Sequence, residues 1–286
     1  MWVAFAFGSA LFAGITSILA KIGIKNTDST AATAVRTVVI LFFSWLMVII
    51  TGSVGEMGSI SAKTLVFLML SGLATGGSWL CYFKALQIGD VNKVTPVDKS
   101  STVLTMLLAF IILGEELSLL KVICMILIGI GTYLMIVKKE IDKEVKGKGW
   151  LFYAVLSAVF ASLTSILGKV GISGIDSNLG TAIRTIVVLI MAWIMVFVTK
   201  KQDELKKIDR KSMAFICLSG LTTGLSWLCC YKALQDGQAS IVVPIDKLSI
   251  LVTVAFSYII LKEKLTKKSL FGLAMITAGT LMLVIK

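Results

Sequence analysis

Charged and polar side chains recur at one spacing in two places of this otherwise apolar chain. Asp98 is followed at +3 and +7 by Ser101 and Thr105, which places the three on one stripe of a helix. The same spacing recurs later in the chain, in Asp246, Ser249 and Thr253. A carboxylate in an apolar setting is costly unless it is used, so the pattern is typical of a proton-binding or substrate-binding site. The alternative is a capping or salt-bridging aspartate, because Pro96 can mark a first helical turn.

Lysines accompany these aspartates in both places. Lys99 and Lys247 follow them directly, and Lys84 and Lys232 stand fourteen positions before them. The ammonium groups would either neutralise the carboxylates or bind an anionic group of a ligand. The alternative for Lys84, at the predicted end of a helix, is that its ammonium simply reaches the aqueous surface.

Two tryptophans and two arginines complete the candidate set. Trp79 and Trp227 lie in the middle of predicted helices, where the indole N–H needs a partner. They either face a cavity, where an aromatic ring can hold a cation, or serve packing alone. Arg36 and Arg184 lie one to two turns inside their helices, and we interpret them as structural or gating residues. Their expected partners are a loop carbonyl or the aspartates before the same helices, Asp28 and Asp176.

The elements that must position these residues are membrane-spanning helices. Of the 286 residues 57% are hydrophobic and 15% are charged, against about 45–50% and about 25% in soluble domains. This composition excludes a soluble enzyme, a disordered chain and a disulfide scaffold. Blocks of about 20 apolar residues cross a lipid bilayer as helices, and ten blocks meet that length. They are 2–20, 31–51, 64–87, 92–113, 120–137, 150–168, 179–199, 212–235, 240–261 and 268–285.

The chain is an internal repeat. Shifted by 148 positions, residues 1–138 align with residues 149–286 without a gap, and 59 of the 138 pairs are identical. The sequence therefore predicts an all-α membrane protein of two five-helix repeats, joined by a basic linker at 139–148. Because five is odd, the second repeat enters the membrane inverted. Glycine-lined stretches at 72–77 and 220–224 predict close helix contacts rather than breaks.

Loop charges predict the orientation of this protein. Taking loops alternately, one side collects 5 lysines and the other 19 lysines and arginines. Short cytoplasmic loops are rich in Lys and Arg, so the basic loops are expected in the cytoplasm and both termini outside a plasma (inner) membrane. The equivalent loops 52–59 and 200–207 differ accordingly, the second carrying four lysines. The net charge of +12 is thus an orientation signal, and no nucleic-acid partner is expected.

Four motifs recur in both halves. They are an Arg entering the second helix (33–36 and 181–184), Lys-Ala-Leu ending the third (84–86 and 232–234), Pro-x-Asp-Lys-x-Ser (96–101 and 244–249) and Leu-x-Glu (113–115 and 261–263). With these motifs, essentially the whole chain resembles the EamA-type family of the drug/metabolite transporter superfamily.

The resemblance implies a helix-lined central cavity between the halves and alternating access to it. It names no substrate, because that superfamily moves amino acids, sugars, amines and drugs. The related small multidrug exporters carry a glutamate in the middle of their first helix. Here residues 2–20 and 150–168 contain no acidic residue, a departure from that pattern.

Enzyme chemistry has no signature in the sequence. Walker, dinucleotide-binding and nucleophile-elbow motifs are absent, and the chain has no histidine. The five cysteines lie inside predicted helices without zinc spacing. We therefore expect no enzyme activity, no cofactor and no metal, and transport driven by an ion or substrate gradient.

The sequence thus predicts a secondary-active transporter of small polar metabolites such as amino acids or related compounds. By analogy we expect export coupled to protons, in antiport. Two alternatives stay open, a multidrug or cationic amine exporter and an uncoupled facilitator or channel. Nothing in the sequence sets an oligomeric state.

Overall fold

Helices make up the protein wherever its structure is described. The computed structural model describes residues 1–25, 27–88, 91–135, 149–261 and 266–285. These residues form twelve α-helices and two short 3-10 segments, Ser53–Ser59 and Gln202–Lys207. The helices are α1 (Trp2–Gly23), α2 (Ser29–Ile50), α3 (Ala62–Ile88), α4 (Val91–Lys99), α5 (Ser101–Leu113), α6 (Leu119–Met135), α7 (Gly149–Ile172), α8 (Ser177–Val198), α9 (Arg210–Asp236), α10 (Ala239–Lys247), α11 (Ser249–Leu261) and α12 (Lys267–Val284). The predicted linker 139–148 lies outside the described residues.

Eight segments among the described residues are long and apolar enough to cross a membrane. Seven of them are α1, α2, α3, α7, α8, α9 and α12, and the eighth, Ala239–Phe256, covers α10 and part of α11. Helix α6 is apolar but has 17 residues, and α4 and α5 are shorter still. Large apolar side chains such as Phe42, Ile111 and Ile259 are more than 70% exposed, as lipid-facing residues are. The chain is therefore a multi-pass membrane protein.

Two of the predicted blocks are divided by a kink. Ser100 alone separates α4 from α5, and Leu248 alone separates α10 from α11. At the second kink the Leu248 amide donates to the Ile245 carbonyl at 2.9 Å, a tight turn rather than a loop. Pro244 lies inside α10 just before it. Because proline lacks the N–H that a helix interior needs, it bends the helix there.

Each half packs mainly on the other half. The most extensive helix contacts are α3 with α7 and α1 with α9, followed by α6 with α12 and α2 with α8. Helices α1 to α6 of the first half correspond to α7 to α12 of the second. If each helix is replaced by its counterpart, the contact of α3 with α7 becomes that of α9 with α1, and the contacts of α6 with α12 and of α2 with α8 stay the same. These four helix contacts are therefore the same seen from either half.

Helices α2 and α8 run antiparallel. Asp28, before α2, has its Oδ2 3.3 Å from Nζ of Lys201, which follows α8. At the other end, Ser53 after α2 donates from Oγ to Oδ1 of Asp176, before α8, at 2.8 Å. The start of each helix thus meets the end of its counterpart.

Helices α6 and α12 also run antiparallel, and they approach closely at glycines. A Cβ at Gly131 would stand 2.6 Å from the backbone oxygen of Gly272, and one at Gly279 would stand 3.1 Å from Ile128. A residue later in α6 thus contacts a residue earlier in α12, so the two helices run in opposite directions. Only a residue without a side chain permits this approach.

The two predicted glycine-lined stretches make close helix contacts. A Cβ at Gly72 of α3 would stand 2.7 Å from Cβ of Val187 in α8. In the other half, a Cβ at Gly220 of α9 would stand 2.9 Å from Cβ of Val39 in α2. The prediction of close contact rather than a helix break is confirmed at both places.

Candidate functional site

Each kinked segment holds its aspartate against the first helix of the other half. Asp98 of α4 accepts a hydrogen bond at Oδ1 from Ser157 Oγ of α7, at 2.7 Å. Asp246 of α10 accepts one at Oδ1 from Ser9 Oγ of α1, at 2.5 Å. The two carboxylate side chains are 15% and 22% exposed. The two aspartates, 148 positions apart in the sequence, therefore occupy matching environments.

A second serine supports each of these contacts. Ser226 Oγ of α9 donates to the backbone oxygen of Ser9 at 3.1 Å. In the other half, the Oγ atoms of Ser78 and Ser157 lie 3.3 Å apart. These four serines were missing from the sequence-predicted set. The repeat alignment carried a signal for them, since Ser9 aligns with Ser157 and Ser78 with Ser226.

The lysines beside the aspartates stay exposed. Nζ of Lys99 lies 3.9 Å from Oδ2 of Asp98, and its side chain is 56% exposed. Nζ of Lys247 likewise lies 3.9 Å from Oδ2 of Asp246, with 46% exposure. Both separations exceed hydrogen-bond length, so each pair is a loose contact.

The threonine hydroxyls of the predicted stripe donate hydrogen bonds to the backbone of their own helices. Thr105 donates from Oγ1 to the Ser101 carbonyl at 2.8 Å, and Thr253 donates to the Ser249 carbonyl at 3.0 Å. These are i to i−4 bonds, which satisfy a buried hydroxyl locally. The structure therefore brings together aspartate, lysine and the serines of the opposite half, and leaves the threonine hydroxyls with the backbone.

Arg184 lies at the centre of a polar and aromatic cluster. It donates from Nε to Ser71 Oγ at 3.0 Å and from Nη2 to Thr75 Oγ1 at 2.6 Å, both on α3. Its guanidinium carbon lies 4.9 Å from the ring centre of Trp227 and 5.0 Å from that of Tyr231, both on α9. The residue is only 2% exposed. Trp227, a candidate for holding a cationic ligand, thus holds an arginine of the protein itself.

Arg36, the counterpart of Arg184, has a different environment. Its Nε is buried without a hydrogen-bond partner among the described residues. Position 83 carries Phe where the second half has Tyr231, so one partner of the cluster is chemically different. Trp79 is half-buried. The two halves therefore match at the aspartates and differ at the arginines.

Asp28 and Asp176 are helix caps that also join the halves. Asp28 accepts from the Thr30 amide at 2.9 Å, in addition to its Lys201 contact. Asp176 accepts from the Asn178 amide at 3.0 Å. The expected pairing with the arginines of the same helices is replaced, because each carboxylate satisfies free N–H groups of its own helix start. The arginines lie one to two turns further in, where they meet α3 and α9.

Lys232 lies near the end of α9 and contacts residues of the same turn. Its Nζ lies 3.3 Å from Oδ2 of Asp236 and donates to Oε1 of Gln235 at 3.2 Å. Gln235 in turn donates from Nε2 to the Ile172 carbonyl at 2.9 Å, which joins the end of α9 to the end of α7.

Lys84, the counterpart of Lys232, is exposed. It lines a crevice of about 650 Å³ together with Gln87, Thr199 and Lys201. Gln87 is exposed as well, whereas its counterpart Gln235 is hydrogen-bonded to the end of α7. The end near Lys84 therefore lacks the hydrogen bond that joins α9 to α7 at the other end, although that other end also holds a cavity of about 440 Å³, lined by Asp236 and Gln238.

The glutamate of the first Leu-x-Glu motif begins a helix of the other half. Glu115 accepts from the Ala239 amide at 2.6 Å and the Ser240 amide at 3.0 Å, the first residues of α10. Its Oε1 lies 3.8 Å from Nζ of Lys169, and the side chain is 7% exposed. A carboxylate at a helix N-terminus satisfies unpaired N–H groups and favours the helix dipole. Its counterpart, Glu263, lies outside the described residues.

The kinks bring carboxylate and ammonium groups together. Each kink presents a carboxylate with one oxygen taken by a serine, and an ammonium group with exposed surface. Among the described residues no three His, Cys, Asp or Glu side chains gather as metal ligands would.

Comparison with known proteins gives the family. The EamA-like transporter family matches residues 1–137 and again residues 148–285. A Sinorhizobium sp. protein named an uncharacterized transporter in the cobO 3′ region is 41% identical over 138 residues, which are 48% of this chain and 98% of that protein. An uncharacterized transporter of Archaeoglobus fulgidus is 28% identical over 206 residues, 72% of this chain and 70% of the relative.

A solved structure has the same fold. A protein described only as a crystal structure superposes with a TM-score of 0.80 at 13% identity, over 99% of this chain and 97% of the other. The family match covers nearly every residue, the relatives are named as transporters, and the helices are those of a multi-pass membrane protein. The chain belongs to the EamA-like transporter family.

Proposed function

We propose that the protein is a secondary-active transporter of small polar metabolites that works by alternating access. Its moving parts are the two repeats, 1–138 and 149–286, with 139–148 as the cytoplasmic linker. The observation that carries the proposal is the pair of equivalent contacts Ser157–Asp98 and Ser9–Asp246. Each joins a kinked segment of one half to the first helix of the other, so a rearrangement of the halves changes both.

Ten crossings in two inverted repeats are part of this proposal. To the eight apolar segments we add α6 as the ninth crossing and the kinked pair of α4 with α5 as the tenth. The antiparallel contacts of α2 with α8 and of α6 with α12 support the inversion, because each pair consists of equivalent helices. Inverted repeats with a site near the midplane are an architecture of secondary transporters.

The proposed orientation follows the loop charges. Segment 202–207 with its flanking lysines faces the cytoplasm of a plasma membrane, and segment 53–59 faces outside with both termini. The joined end near Lys232 then faces outside, and the crevice beside Lys84 faces the cytoplasm. In this orientation the crevice beside Lys84 supports loading from the cytoplasm, as an exporter requires.

The aspartates are the proposed proton sites. Each carboxylate accepts a hydrogen bond at one oxygen from a serine of the opposite half, and its other oxygen lies 3.9 Å from an ammonium group. Protonation weakens both contacts and releases the lysine and the serine of the opposite half. Proton binding and the arrangement of the halves are thereby linked.

The test is proton-coupled current or pH change in proteoliposomes, screened across amino acids, amines, sugars and organic anions. We expect a saturable signal that Asp98→Asn and Asp246→Asn abolish while both variants still unfold cooperatively. Asp203→Asn is the matched control, since that side chain is 88% exposed in a connecting segment.

Full transport in both aspartate variants would overturn the role given to these carboxylates. Saturable counterflow of the substrate separates a carrier from an uncoupled channel. A current that rises linearly with substrate, without counterflow, would contradict alternating access.

A further inference from the structure

The two halves differ in how closely their first three helices pack, and this difference carries an inference about gating that rests on the proposed transport function. In the second half, α7, α8 and α9 contact one another. Their counterparts α1, α2 and α3 make no contacts of comparable extent among the described residues. The contacts between the halves do match, since α3 packs on α7 as α1 packs on α9. Three helices of the second half are therefore closer together than their counterparts in the first.

A glutamine joins the ends of α7 and α9. Gln235 donates from Nε2 to the carbonyls of Ile172 at 2.9 Å and Ile175 at 2.7 Å. Its Oε1 in turn accepts from Nζ of Lys232 at 3.2 Å. Ile172 is fully buried there. We call this set of contacts the α7–α9 closure.

The first half has the same residues without these contacts. In the repeat alignment the pairs are Gln87 with Gln235, Lys84 with Lys232, and Ile24 with Ile172. Gln87 and Lys84 are exposed, and within the described ranges neither side chain makes a hydrogen bond or an ion pair. Ile24 is 38% exposed where its counterpart is buried. The first half therefore contains the parts of a closure that is not formed in this structure.

The two arginines differ in the same way. Arg184 of α8 stacks on Trp227 and Tyr231 of α9, and these two helices are in contact. Trp79 of α3 is the same residue type as Trp227, yet in the part of the chain that the structure describes no ring stacks on Arg36 of α2. The Nε of Arg36 is buried without a partner. Because a buried donor without an acceptor is costly, the contacts of Arg36 are incomplete here.

The formed and the unformed contacts lie at opposite ends of one helix pair. Helices α3 and α7 run antiparallel, because a Cβ at Gly171 would stand 2.8 Å from Leu68, and one at Gly149 would stand 3.7 Å from Ile88. Gln87 thus lies beside the start of α7, whereas the α7–α9 closure lies at its end. The start and the end of α7 are about 35 Å apart along the helix.

Rocking of two helix pairs would connect these ends. The contacts of α3 with α7 and of α1 with α9 are the most extensive in the protein, so each pair moves as a unit. Tilting one pair on the other brings the ends of α1 and α3 together while it separates the ends of α7 and α9. Closure at one end therefore excludes closure at the other.

We propose that Gln87 forms an α1–α3 closure equivalent to the α7–α9 closure, and that the two closures alternate. In the second state Gln87 donates to carbonyls at the end of α1, and Arg36 stacks on Trp79. Gln87 and Gln235 are then gating residues. Each stabilises one state only, so their balance sets the populations of the two states.

Distances between nitroxide spin labels report on both ends without a transport assay. Lys25→Cys with Ile88→Cys measures α1 to α3, and the aligned pair Ser173→Cys with Asp236→Cys measures α7 to α9. All four positions are exposed. The Asp236 substitution removes a partly exposed ion pair with Lys232, which contributes little to stability. The purified protein is measured in lipid nanodiscs, with its five native cysteines replaced.

Removing the glutamine of the formed closure should move both ends. Gln235→Ala should lengthen the α7–α9 distance and shorten the α1–α3 distance, changing the ratio of the two states about threefold or more. Adding Gln87→Ala to that variant should reverse the change. Gln202→Ala, an exposed glutamine of a connecting segment, is the matched control and should leave both distances unchanged. An α1–α3 distance that stays constant in Gln235→Ala, or a double variant that behaves as the single one, would overturn the proposal.

Gln235→Glu covers the case in which the alanine variant does not fold. It keeps the size of the side chain and removes the amide donor, so it should shift both distances in the same direction as alanine, and unchanged distances would contradict the closure. Transport is assayed separately. Alternating ends without saturable transport would contradict the proposed function alone, whereas saturable transport with independently moving ends would contradict this inference alone.

Discussion

The guanidinium carbon of Arg184 lies 5.0 Å from the ring centre of Tyr231. In the first half, where Arg36 corresponds to Arg184, the residue that corresponds to Tyr231 is Phe83. Arg184 also bridges Ser71 and Thr75, which makes it a link between α8, α3 and α9. This cluster is the clearest departure of the structure from exact exchange of the halves.

Replacing Arg184 by Lys should destabilise the protein by about 2–4 kcal/mol. Lysine keeps the charge but loses the forked donors and most of the stacking on Trp227 and Tyr231. The Tm in detergent is the measurement. Arg36→Lys is the matched control and should cost clearly less, because its Nε has no partner to lose among the described residues. Equal Tm losses in the two variants would show that the contacts of Arg184 with Ser71, Thr75, Trp227 and Tyr231 do not stabilise the protein.

Removing a kink serine should be costly in either half. Ser157→Ala and Ser9→Ala each leave a part-buried aspartate oxygen without its donor, a loss of about 1–3 kcal/mol. Chemical unfolding monitored by tryptophan fluorescence measures it. Ser17→Ala is the control, since that exposed hydroxyl donates to the Ala13 carbonyl of its own helix. The equivalence of the two contacts is refuted if one alanine variant is costly and the other neutral.

A methyl group at Gly72 should push α3 away from α8. The added Cβ would stand 2.7 Å from Val187 Cβ, and overpacking of this kind costs about 1–3 kcal/mol. Gly129→Ala provides the contrast, because among the described residues its Cβ meets Val103 at an ordinary 3.5 Å. That change should be neutral or slightly stabilising through helix propensity. Thermal unfolding of both variants decides, and a stable Gly72→Ala protein would speak against the close approach.

Charge at Glu115 should matter more than charge at its neighbour. Glu115→Gln keeps the shape but weakens the contacts to the α10 amides and to Lys169, at about 1–2 kcal/mol. Glu116→Gln changes an exposed side chain and should leave the Tm within error. Similar Tm values for both variants would remove the capping role from Glu115.

Two connecting segments should be accessible from opposite sides of the membrane. A membrane-impermeant maleimide should label Gly55→Cys in intact cells, and Lys206→Cys only after lysis. The background needs the native cysteines replaced; these are Cys81, Cys124, Cys217, Cys229 and Cys230. The reverse labelling would invert the proposed orientation, and labelling of both in intact cells would contradict the inversion of the repeats.

Sequence patterns predicted the helices well, because membrane thickness sets their length and apolar runs reveal it directly. The predicted block 31–51 became Ser29–Ile50, where the start is set by the Asp28 cap. The kinks were not predicted, since hydropathy continues through Ser100 and Leu248 and only Pro96 and Pro244 mark the change.

Partners across the halves were beyond the reach of local patterns. The Arg184 contacts with Ser71 and Thr75 join residues more than a hundred positions apart, and no helical spacing relates them. The repeat alignment pairs equivalent residues, such as Ser9 with Ser157, but does not say which helices touch. That choice depends on how helices of similar polarity fit together in three dimensions.

The interdigitation of the halves has a consequence for biogenesis. Ser9 and Asp246 are 237 positions apart, and Ser9 and Ser226 are 217 apart. Polar groups of α1 therefore lack their native partners in the membrane until most of the chain has been synthesised. Such high contact order slows assembly and lengthens the period in which the nascent protein is open to degradation. Mutations in the last helices should accordingly lower the yield of the whole protein, since the first half has no complete set of partners of its own.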